Sequence, residues 1–264
     1  MTIADPFHII AHRGASAYAP ENTMAAFRLA AEMGIDEVET DVGYTRDGHI
    51  LLFHDKMLNR TTNGQGPPHA LKLDELKQLD AGSWGSEPVP EGSHEPEVCW
   101  TRDYAGEQLI TLSELLDEFG DRFVYHIEIK HPARGLVQDV LDAVRERDLL
   151  DRVYIYTIND IDSLVEARQI EPDIKTAWAP VEETKEDGPA TVRKAAEHGI
   201  TMFVFNSQTL DADLVRLAND LGMTTRSSAI KNREQMIAAV EAGCNGMTIN
   251  WPDWLVEYVK QAPV

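Results

Sequence analysis

Nine short apolar runs with the composition of β-strands recur along the chain, and most are separated by segments of helical periodicity. The runs lie at 7–11, 37–42, 50–54, 124–129, 152–157, 174–178, 202–205, 223–227 and 246–249. Strands that alternate with helices form a parallel sheet, and eight such units close into a TIM, or (β/α)8, barrel. We expect the run at 50–54 to be a hairpin arm rising from the second strand. Eight strands then remain, which predicts an α/β TIM barrel.

The segments between the runs carry the apolar spacing of amphipathic helices. They lie at 24–33, 72–79, 111–119, 134–147, 160–168, 190–198, 209–220 and 232–242. Asn22 or Thr23 is the expected N-cap of the first helix. Glycine marks the expected C-terminal end of several later helices, at Gly120, Gly199, Gly222 and Gly243.

The length of 264 residues suits one domain, because TIM barrels routinely reach about 250 residues. We therefore predict a single barrel domain over 1–264. Residues 61–108 break the alternation with several glycines and prolines, and we predict an insertion over the barrel mouth. Long loops at a barrel mouth usually shape substrate access, and the alternative is a surface excursion without a role.

The composition is strongly acidic. Asp and Glu number 45 against 24 Lys and Arg, which gives a formal net charge of −21 at pH 7. Nucleic acids and anionic membranes attract basic surfaces, so we expect a small-molecule partner instead of either. No run approaches the roughly 20 apolar residues of a membrane helix, and the N-terminus lacks the pattern of a signal peptide. We predict a cytoplasmic protein without stable membrane association, and the sequence leaves its oligomeric state open.

The two cysteines, Cys99 and Cys244, are far apart and lack the spacing of a metal site. Neither a structural disulfide nor a zinc site is therefore expected.

Three carboxylates occur near the ends of strand-like runs. Glu39 and Asp41 alternate in the second run, and Glu128 alternates with Lys130 in a later run. Side chains two residues apart on a strand share a face. Grouped carboxylates repel one another unless a cation lies among them, and oxygen ligands favour a hard ion, Mg²⁺ or Ca²⁺. We predict Glu39, Asp41 and Glu128 as ligands of one divalent cation, with a salt bridge to Arg or Lys as the alternative for any one of them.

His12 and His54 follow strand-like runs at either side of the first carboxylate pair. An imidazole with a pKa of about 6.5 takes or gives a proton at neutral pH, so we predict these two as the catalytic acid and base. A lone histidine at a strand end is more often structural. Arg13 and Lys130 are predicted to bind an anionic substrate, Arg through its forked edge and Lys as a point charge. Lys130 can also pair with a neighbouring glutamate, and the two roles are compatible.

Asp47-Gly48 between two alternating runs is a strong hairpin signal. If these two residues form a two-residue turn, Asp41 faces His54 across the hairpin. This register predicts a histidine beside a carboxylate through local structure alone.

The short motifs of the chain form an ordered set. They are His12-Arg13-Gly14, Pro20-Glu21-Asn22-Thr23, Glu39-x-Asp41, the Asp47-Gly48 turn, His54-Asp55, Arg60-Thr61-Thr62 and Glu128-x-Lys130. Their order and spacing resemble those of the glycerophosphodiester phosphodiesterases. The resemblance covers essentially the whole chain and is strongest in 7–63 and 124–132.

The resemblance implies a TIM barrel with a small insertion between its second and third strands, here within residues 46–110. It also implies a divalent ion on the three carboxylates and acid-base catalysis by the two histidines. The implied reaction is hydrolysis of a glycerophosphodiester to sn-glycerol 3-phosphate and an alcohol, a step of glycerol and lipid metabolism. The nucleophile, water or a substrate hydroxyl, and the division of roles between the histidines stay open.

Two segments of the C-terminal third depart from the family pattern. Relatives commonly carry a Trp-Thr-x-Asn strand and a later Thr-Asp-x-Pro ending, and these places read Thr225-Arg226-Ser227-Ser228 and Thr248-Ile249-Asn250-Trp251-Pro252. An aromatic wall for the glycerol moiety is then either missing or supplied by Trp251 or Trp178. Arg226 adds a cation that the pattern lacks. These changes bear on the identity of the substrate and leave the reaction type unaffected.

Three alternative functions remain on the sequence. The same fold serves phosphodiesterases that act on a lysophospholipid or another headgroup, which the acidic surface disfavours. A non-catalytic barrel that binds a phosphate ester is disfavoured by the intact pair of histidines. A metal-assisted lyase or aldolase would use Lys130 as a Schiff base, which the order of motifs disfavours.

Overall fold

The computed structural model describes residues 6–86, 100, 102–130 and 133–261, and Cys99 lies outside these ranges. One sheet contains the strands β1 His8–His12, β2 Glu37–Tyr44, β3 Ile50–Leu52, β4 Val124–Ile129, β5 Val153–Ile158, β6 Lys175–Ala179, β7 Met202–Asn206, β8 Thr224–Ser228 and β9 Gly246–Ile249. The predicted strands are confirmed to within two residues at most ends.

Eight of these strands close into a barrel. Strands β1, β2 and β4 to β9 pair in parallel in that order, and β9 pairs with β1 to close the ring. Strand β3 lies outside the ring and runs antiparallel to β2. Both the TIM barrel and the hairpin arm at its second strand are therefore confirmed.

Helices follow most barrel strands and cover the outside of the ring. In chain order the helices are α1 Met24–Glu32, α2 Leu73–Leu76 within the insertion, α3 Leu112–Phe119, α4 Leu136–Arg145, α5 Asp162–Ile170, α6 Val181–Glu197, α7 Ala212–Asp220, α8 Arg233–Glu241 and α9 Pro252–Gln261. Thr23 is the N-cap of α1, and its hydroxyl oxygen accepts from the Ala26 amide. The predicted C-terminal glycines all have positive φ.

Two helical segments were not expected from the sequence. Helix α6 begins at Val181 rather than near Ala190, and it is kinked at Asp187, just before Gly188 and Pro189. The first half of α6 was not predicted, because Gly and Pro usually end a helix. Here a kink accommodates both residues within the helical segment. Helix α9 begins at Pro252, a favoured first helical residue.

The largest apolar core lies between the sheet and the surrounding helices. Trp178 is fully buried there, edge to face with Phe203, and Lys194 of α6 lies over its ring. Among the described residues, no helix combines the length and apolar character needed to cross a bilayer.

The register of the β2–β3 hairpin differs by one residue from the prediction. Val42 pairs with Leu52, and the Phe53 amide donates to the Asp41 carbonyl, so Asp41 does not face His54. The turn contains three residues, with Gly48 at φ 85° in its last position. A type I turn followed by a left-handed glycine is the usual three-residue hairpin, and it shifts the pairing by one residue.

The start of the insertion is tied to the loop after β1 by a buried carboxylate. Glu21 accepts from Arg13 at 2.9 Å and from two nitrogens of Arg60 at 2.7 and 2.8 Å. Burial alone raises the pKa of Glu21, but the two guanidinium groups outweigh it and lower the pKa from 4.5 to about 2. The described part of the insertion also packs a small apolar cluster against β3. That the insertion covers the barrel mouth stays a prediction.

Chain direction after β1 depends on a left-handed turn at Arg13 and Gly14, with φ of 56° and 82°. A Cβ on Gly14 would lie 2.7 Å from the Ala26 carbonyl carbon of α1. Glycine is therefore required both by the backbone conformation and by the close approach of α1.

We expect Gly14→Ala to lower the free energy of unfolding by about 2–5 kcal/mol, because a left-handed alanine and a backbone clash both add strain. Gly34→Ala is the control, because Gly34 also has positive φ but no atom lies within 4 Å of its Cβ position. The control should lose only about 1 kcal/mol in urea unfolding. Equal losses in the two variants would remove the clash from the explanation.

Glu21→Gln should cost about 2–4 kcal/mol of unfolding free energy at pH 7, because it removes the buried anion that Arg13 and Arg60 share and leaves each with one carboxylate partner, Asp41 or Asp55. A lowered carboxyl pKa stabilises the fold above the ordinary pKa, and this contribution is lost as pH falls through the folded value. The difference between the wild type and the variant should therefore shrink between pH 4.5 and pH 2. Denaturant unfolding across this range measures it, with Glu118→Gln in the surface pair with Arg28 as control. A difference that stays constant with pH would contradict the assignment.

Candidate active site

The three predicted carboxylates converge inside the barrel. Glu39 and Asp41 point inward from β2, and Glu128 lies beside Asp41 in the neighbouring strand β4. All three are buried, and one oxygen from each lies within 4.8 Å of the others. Parallel pairing of β2 with β4 brings together groups that are 87 or more residues apart in sequence (128 − 41 = 87).

The electrostatics of the cluster fit a bound cation. Burial, with the charges of Asp41 and Glu128, raises the pKa of Glu39. Burial and Asp41 likewise raise the pKa of Glu128. Burial also acts to raise the pKa of Asp41, but the charges of His54, Arg13 and Lys130 lower it. Glu39 Oε1 and Asp41 Oδ1 have no hydrogen-bond partner among the described residues. Buried oxygens of this kind are suited to be ligands of a hard divalent ion.

His12 is held at the end of β1 with one nitrogen available. Its Nδ1 lies 2.5 Å from the amide oxygen of Asn250, so Nδ1 carries the proton. Its Nε2 lies 3.8 Å from Glu39. Burial and the charge of Arg13 lower the pKa of His12, while 30% of the side chain remains exposed. Burial and Arg13 thus disfavour the protonated ring, and the Nε2 side of the ring stays accessible.

His54 is oriented by the residue that follows it. Its Nδ1 lies 2.6 Å from Asp55 Oδ1. Burial raises the pKa of Asp55, but hydrogen bonds from His54 and Arg60 outweigh this effect and lower it. Asp55 is therefore ionised and accepts the Nδ1 proton, which leaves Nε2 as the other functional nitrogen of His54.

The two predicted cations are engaged by carboxylates. Arg13 Nε lies 3.3 Å from Asp41, and its Nη1 donates to Glu21. Lys130 Nζ lies 3.0 Å from Glu128 Oε1. Burial acts to lower the pKa of Lys130, but Glu128 and Asp41 raise it. An ammonium that keeps its proton is a poor Schiff-base nucleophile, so the lyase or aldolase alternative loses its central residue.

One cavity of about 400 Å³ collects six of the seven predicted site residues. His12, Arg13, Glu39, His54, Glu128 and Lys130 line it. Asp41 is fully buried and lies next to the lining residues. The cavity is thus the candidate active site.

Several residues at this site were missed or misjudged from the sequence. Trp178 lies in the core outside the barrel, and Trp251 stacks on Trp254, so neither forms the expected wall of this cavity. The aromatic ring in the lining is Tyr156 of β5. Asn22 is not the N-cap of α1, because its amide instead donates to Asp41 at 2.9 Å.

Asn250 and Arg226 were noted only as departures from the family pattern. Asn250 directly follows β9, and this position was an available signal because the ends of barrel strands carry functional residues. Arg226 lies in the middle of β8, where its charge was the only signal. What they contact was not available from the sequence.

Known proteins resemble this chain in sequence and structure. The model of the glycerophosphoryl diester phosphodiesterase family matches residues 12–254. A glycerophosphodiester phosphodiesterase of Bacillus subtilis (strain 168) is 31% identical, over 92% of this chain and 83% of that protein. Another, of Caldanaerobacter subterraneus subsp. tengcongensis, is 31% identical over 96% of this chain and 98% of its own. The structure of an Oleispira antarctica phosphodiesterase in complex with the product sn-glycerol-3-phosphate is similar with a TM-score of 0.75 and 26% identity, covering 96% of both chains. The chain therefore belongs to the glycerophosphoryl diester phosphodiesterase family.

Proposed function

We propose that the protein hydrolyses glycerophosphodiesters to sn-glycerol 3-phosphate and an alcohol. The observation that carries this proposal is the convergence on one cavity of buried carboxylates and two oriented histidines, in a chain of this family. The Oleispira antarctica phosphodiesterase binds sn-glycerol-3-phosphate on the same fold, which supports the choice of product. We place the reaction in glycerol and lipid metabolism and in the cytoplasm.

The cofactor of this proposal is one divalent cation, Mg²⁺ or Ca²⁺. Glu39, Asp41 and Glu128 would hold it, and the two oxygens of Glu39 and Asp41 that accept no hydrogen bond from the described residues support that role. When bound, such an ion offsets the negative charge that a phosphodiester gains in the transition state.

Arg13 and Lys130 add positive charge on the side of the substrate phosphate. Their ion pairs with Glu21, Asp41 and Glu128 fix the two side chains at the edge of the cavity. Charges held in place before the reaction stabilise developing oxygen charge without reorganisation. This positioning matters in a protein whose overall charge is −21, because the general field repels an anion.

His12 and His54 perform the proton transfers. One imidazole Nε2 removes the proton from the nucleophile as its oxygen bonds to phosphorus, and the other Nε2 protonates the alcohol oxygen as the second phosphorus–oxygen bond breaks. Asn250 and Asp55 hold the opposite ring nitrogens, so each Nε2 is turned away from its anchor. Either water or a neighbouring substrate hydroxyl serves this scheme as nucleophile.

A lysophospholipid is the second candidate substrate, and one observation favours it. A mainly apolar cavity of about 480 Å³, with Phe53, Met57 and Pro68 in its lining, lies close to the active site. A cleft of about 380 Å³ lined by His54, Lys130 and Met57 borders both cavities. Faster release of sn-glycerol 3-phosphate or its acyl derivative from micellar than from soluble diesters would favour this candidate.

The proposal is tested by release of sn-glycerol 3-phosphate from glycerophosphocholine and glycerophosphoethanolamine. Treatment with EDTA should abolish release, and added Mg²⁺ or Ca²⁺ should restore it. Glu128→Gln should lose both turnover and calorimetric binding of the ion while keeping its fold, because a neutral amide replaces a ligand charge. Glu118→Gln on the surface is the matched control. Full activity after EDTA, or in Glu128→Gln, would contradict the metal assignment.

His54→Ala should leave ion binding nearly intact and lower kcat by roughly 10²- to 10⁴-fold, the span of general acid-base catalysis. His49→Ala is the control, because His49 is exposed directly after the hairpin turn. Calorimetry of the ion and steady-state kinetics on the same samples separate the two effects. Loss of ion binding together with activity would instead make His54 a ligand.

A further inference from the structure

Arg226 is a buried cation inside the barrel that the proposed reaction does not use. It lies on β8, is fully buried, and borders the active-site cavity together with Thr248. No ion pair joins it to a carboxylate in the described part of the chain. Arg13 and Lys130, by comparison, are both ion-paired. The charge of Arg226 acts to lower the pKa of Glu39, but the two side chains form no direct ion pair. A guanidinium without a directly paired anion is costly in the interior, which indicates a site for an anion.

The guanidinium is held in a fixed plane. Its Nη1 donates to His126 Nδ1 at 3.1 Å, and its Cζ lies 4.3 Å from the ring centre of Tyr156. Since arginine only donates, His126 Nδ1 must accept, and the ring proton lies on Nε2. That Nε2 donates to Glu37 at 2.8 Å, so Glu37 fixes the imidazole that anchors Arg226.

One edge of the guanidinium is left over. The Nε and Nη2 nitrogens of Arg226 have no hydrogen-bond partner among the described residues, and the same holds for the Thr248 hydroxyl. Nε and Nη2 form one edge of the planar group, which matches the two oxygens of a carboxylate or phosphate. The same edge of Arg60 binds Asp55 in this protein, at 2.7 and 2.9 Å.

We propose that Arg226 forms an anion subsite at the floor of the active-site cavity and selects phosphodiesters whose retained alcohol carries a second negative charge. This rests on the proposed hydrolysis of phosphodiesters at this cavity, and it makes glycerol diesters without a second anion the weaker substrates of that reaction. The leaving alcohol must exit through the open mouth, so the part of the substrate that stays esterified occupies the closed end. A carboxylate or a second phosphate on that part takes the free edge of Arg226, with the Thr248 hydroxyl as a further donor.

The subsite is shielded from water before the ligand enters. Both free nitrogens are inaccessible to solvent, so bordering side chains rotate aside as the anion arrives. Contact is then made at low effective dielectric, where a charged hydrogen bond is strong and a neutral group leaves the guanidinium unsatisfied. Arg226 is therefore a specificity-determining residue for the retained alcohol.

Product binding to the Mg²⁺- or Ca²⁺-loaded protein tests the subsite without turnover. The probes are glycerol 3-phosphate, 3-phosphoglycerate and glycerol 1,3-bisphosphate, which differ only in the group at the far carbon. The wild type should bind the two probes with a second anion about 10- to 100-fold more tightly than glycerol 3-phosphate, as expected for hydrogen bonds to a charged group. The stronger of the two identifies the carboxylate or the phosphate as the natural group.

Arg226→Met should remove this preference. The affinity for glycerol 3-phosphate should change by no more than about twofold, because other residues bind the phosphate that all three probes share. Arg233→Met is the matched control, because Arg233 lies outside the cavity lining on α8. Arg226→Lys keeps the charge but lacks the forked edge and should lose most of the preference. If thermal unfolding shows that Arg226→Met does not fold, Arg226→Lys is compared with the wild type instead.

Two results would overturn the subsite. One is a wild type without preference for the second anion, and the other is an equal loss for all three probes in both Arg226 variants, which would place Arg226 on the shared phosphate. Hydrolysis of the 4-nitrophenyl diesters of glycerol 3-phosphate and 3-phosphoglycerate distinguishes failure of the subsite from failure of the proposed function. Release of nitrophenol from neither diester contradicts the proposed function, while the binding preference still reports on Arg226.

Discussion

Three carboxylates are buried together on two adjacent barrel strands, and the surrounding side chains are arranged to offset their negative charge. Glu39, Asp41 and Glu128 share a small space, and like charges at that distance are tolerated only with nearby positive charge. The protein supplies Arg13 and Lys130, in direct contact with the cluster. One oxygen of Glu39 and one of Asp41 still lack a hydrogen-bond partner among the described residues, so the two cations alone do not satisfy the cluster. A divalent ion would complete it.

Closure of the barrel turns this cluster into a site. The pairing of β9 with β1 brings Asn250 beside His12, where it holds the imidazole by its Nδ1. The short hairpin arm brings His54 to the other side, where Asp55 holds it in the same way. Both histidines thus have one nitrogen fixed and the other available, and for His12 this depends on barrel closure, while His54 is held by its neighbour in sequence. The loop at Glu21 and Arg60 ties the start of the insertion to the same end of the barrel.

A second polar layer lies deeper in the barrel. His126 is stacked on Tyr154 and links Glu37 to Arg226. This layer contains none of the predicted catalytic residues, yet it fixes the orientation of the Arg226 guanidinium at the cavity. The C-terminal departures from the family pattern therefore combine with residues of β2 and β4 to form one connected structure, and their effect falls on the floor of the site.

Much of the fold was available from the sequence, because strand and helix periodicities are local properties of the chain. The eight barrel strands, the hairpin arm and Thr23 as a possible cap were all predicted from spacing and residue type. The second segment of α6 was expected, but its first segment was hidden by Gly188 and Pro189, since their helix-breaking tendency gave way to a kink. The predicted hairpin register was wrong by one residue, because Asp47-Gly48 is compatible with both a two-residue and a three-residue turn. The backbone pairing of β2 with β3 determines which one forms.

By itself, the sequence determined the order of the barrel elements and the residues of the candidate site, since both are recorded in local spacing and residue type. Only the tertiary structure decided which groups meet. Asn250 reaches His12, and Arg226 reaches His126, across 238 and 100 residues of chain. It also decided that Trp178 packs outside the barrel while Tyr156 lines the cavity. The physical reason is that contacts between distant strands depend on barrel closure and register, which no local pattern contains.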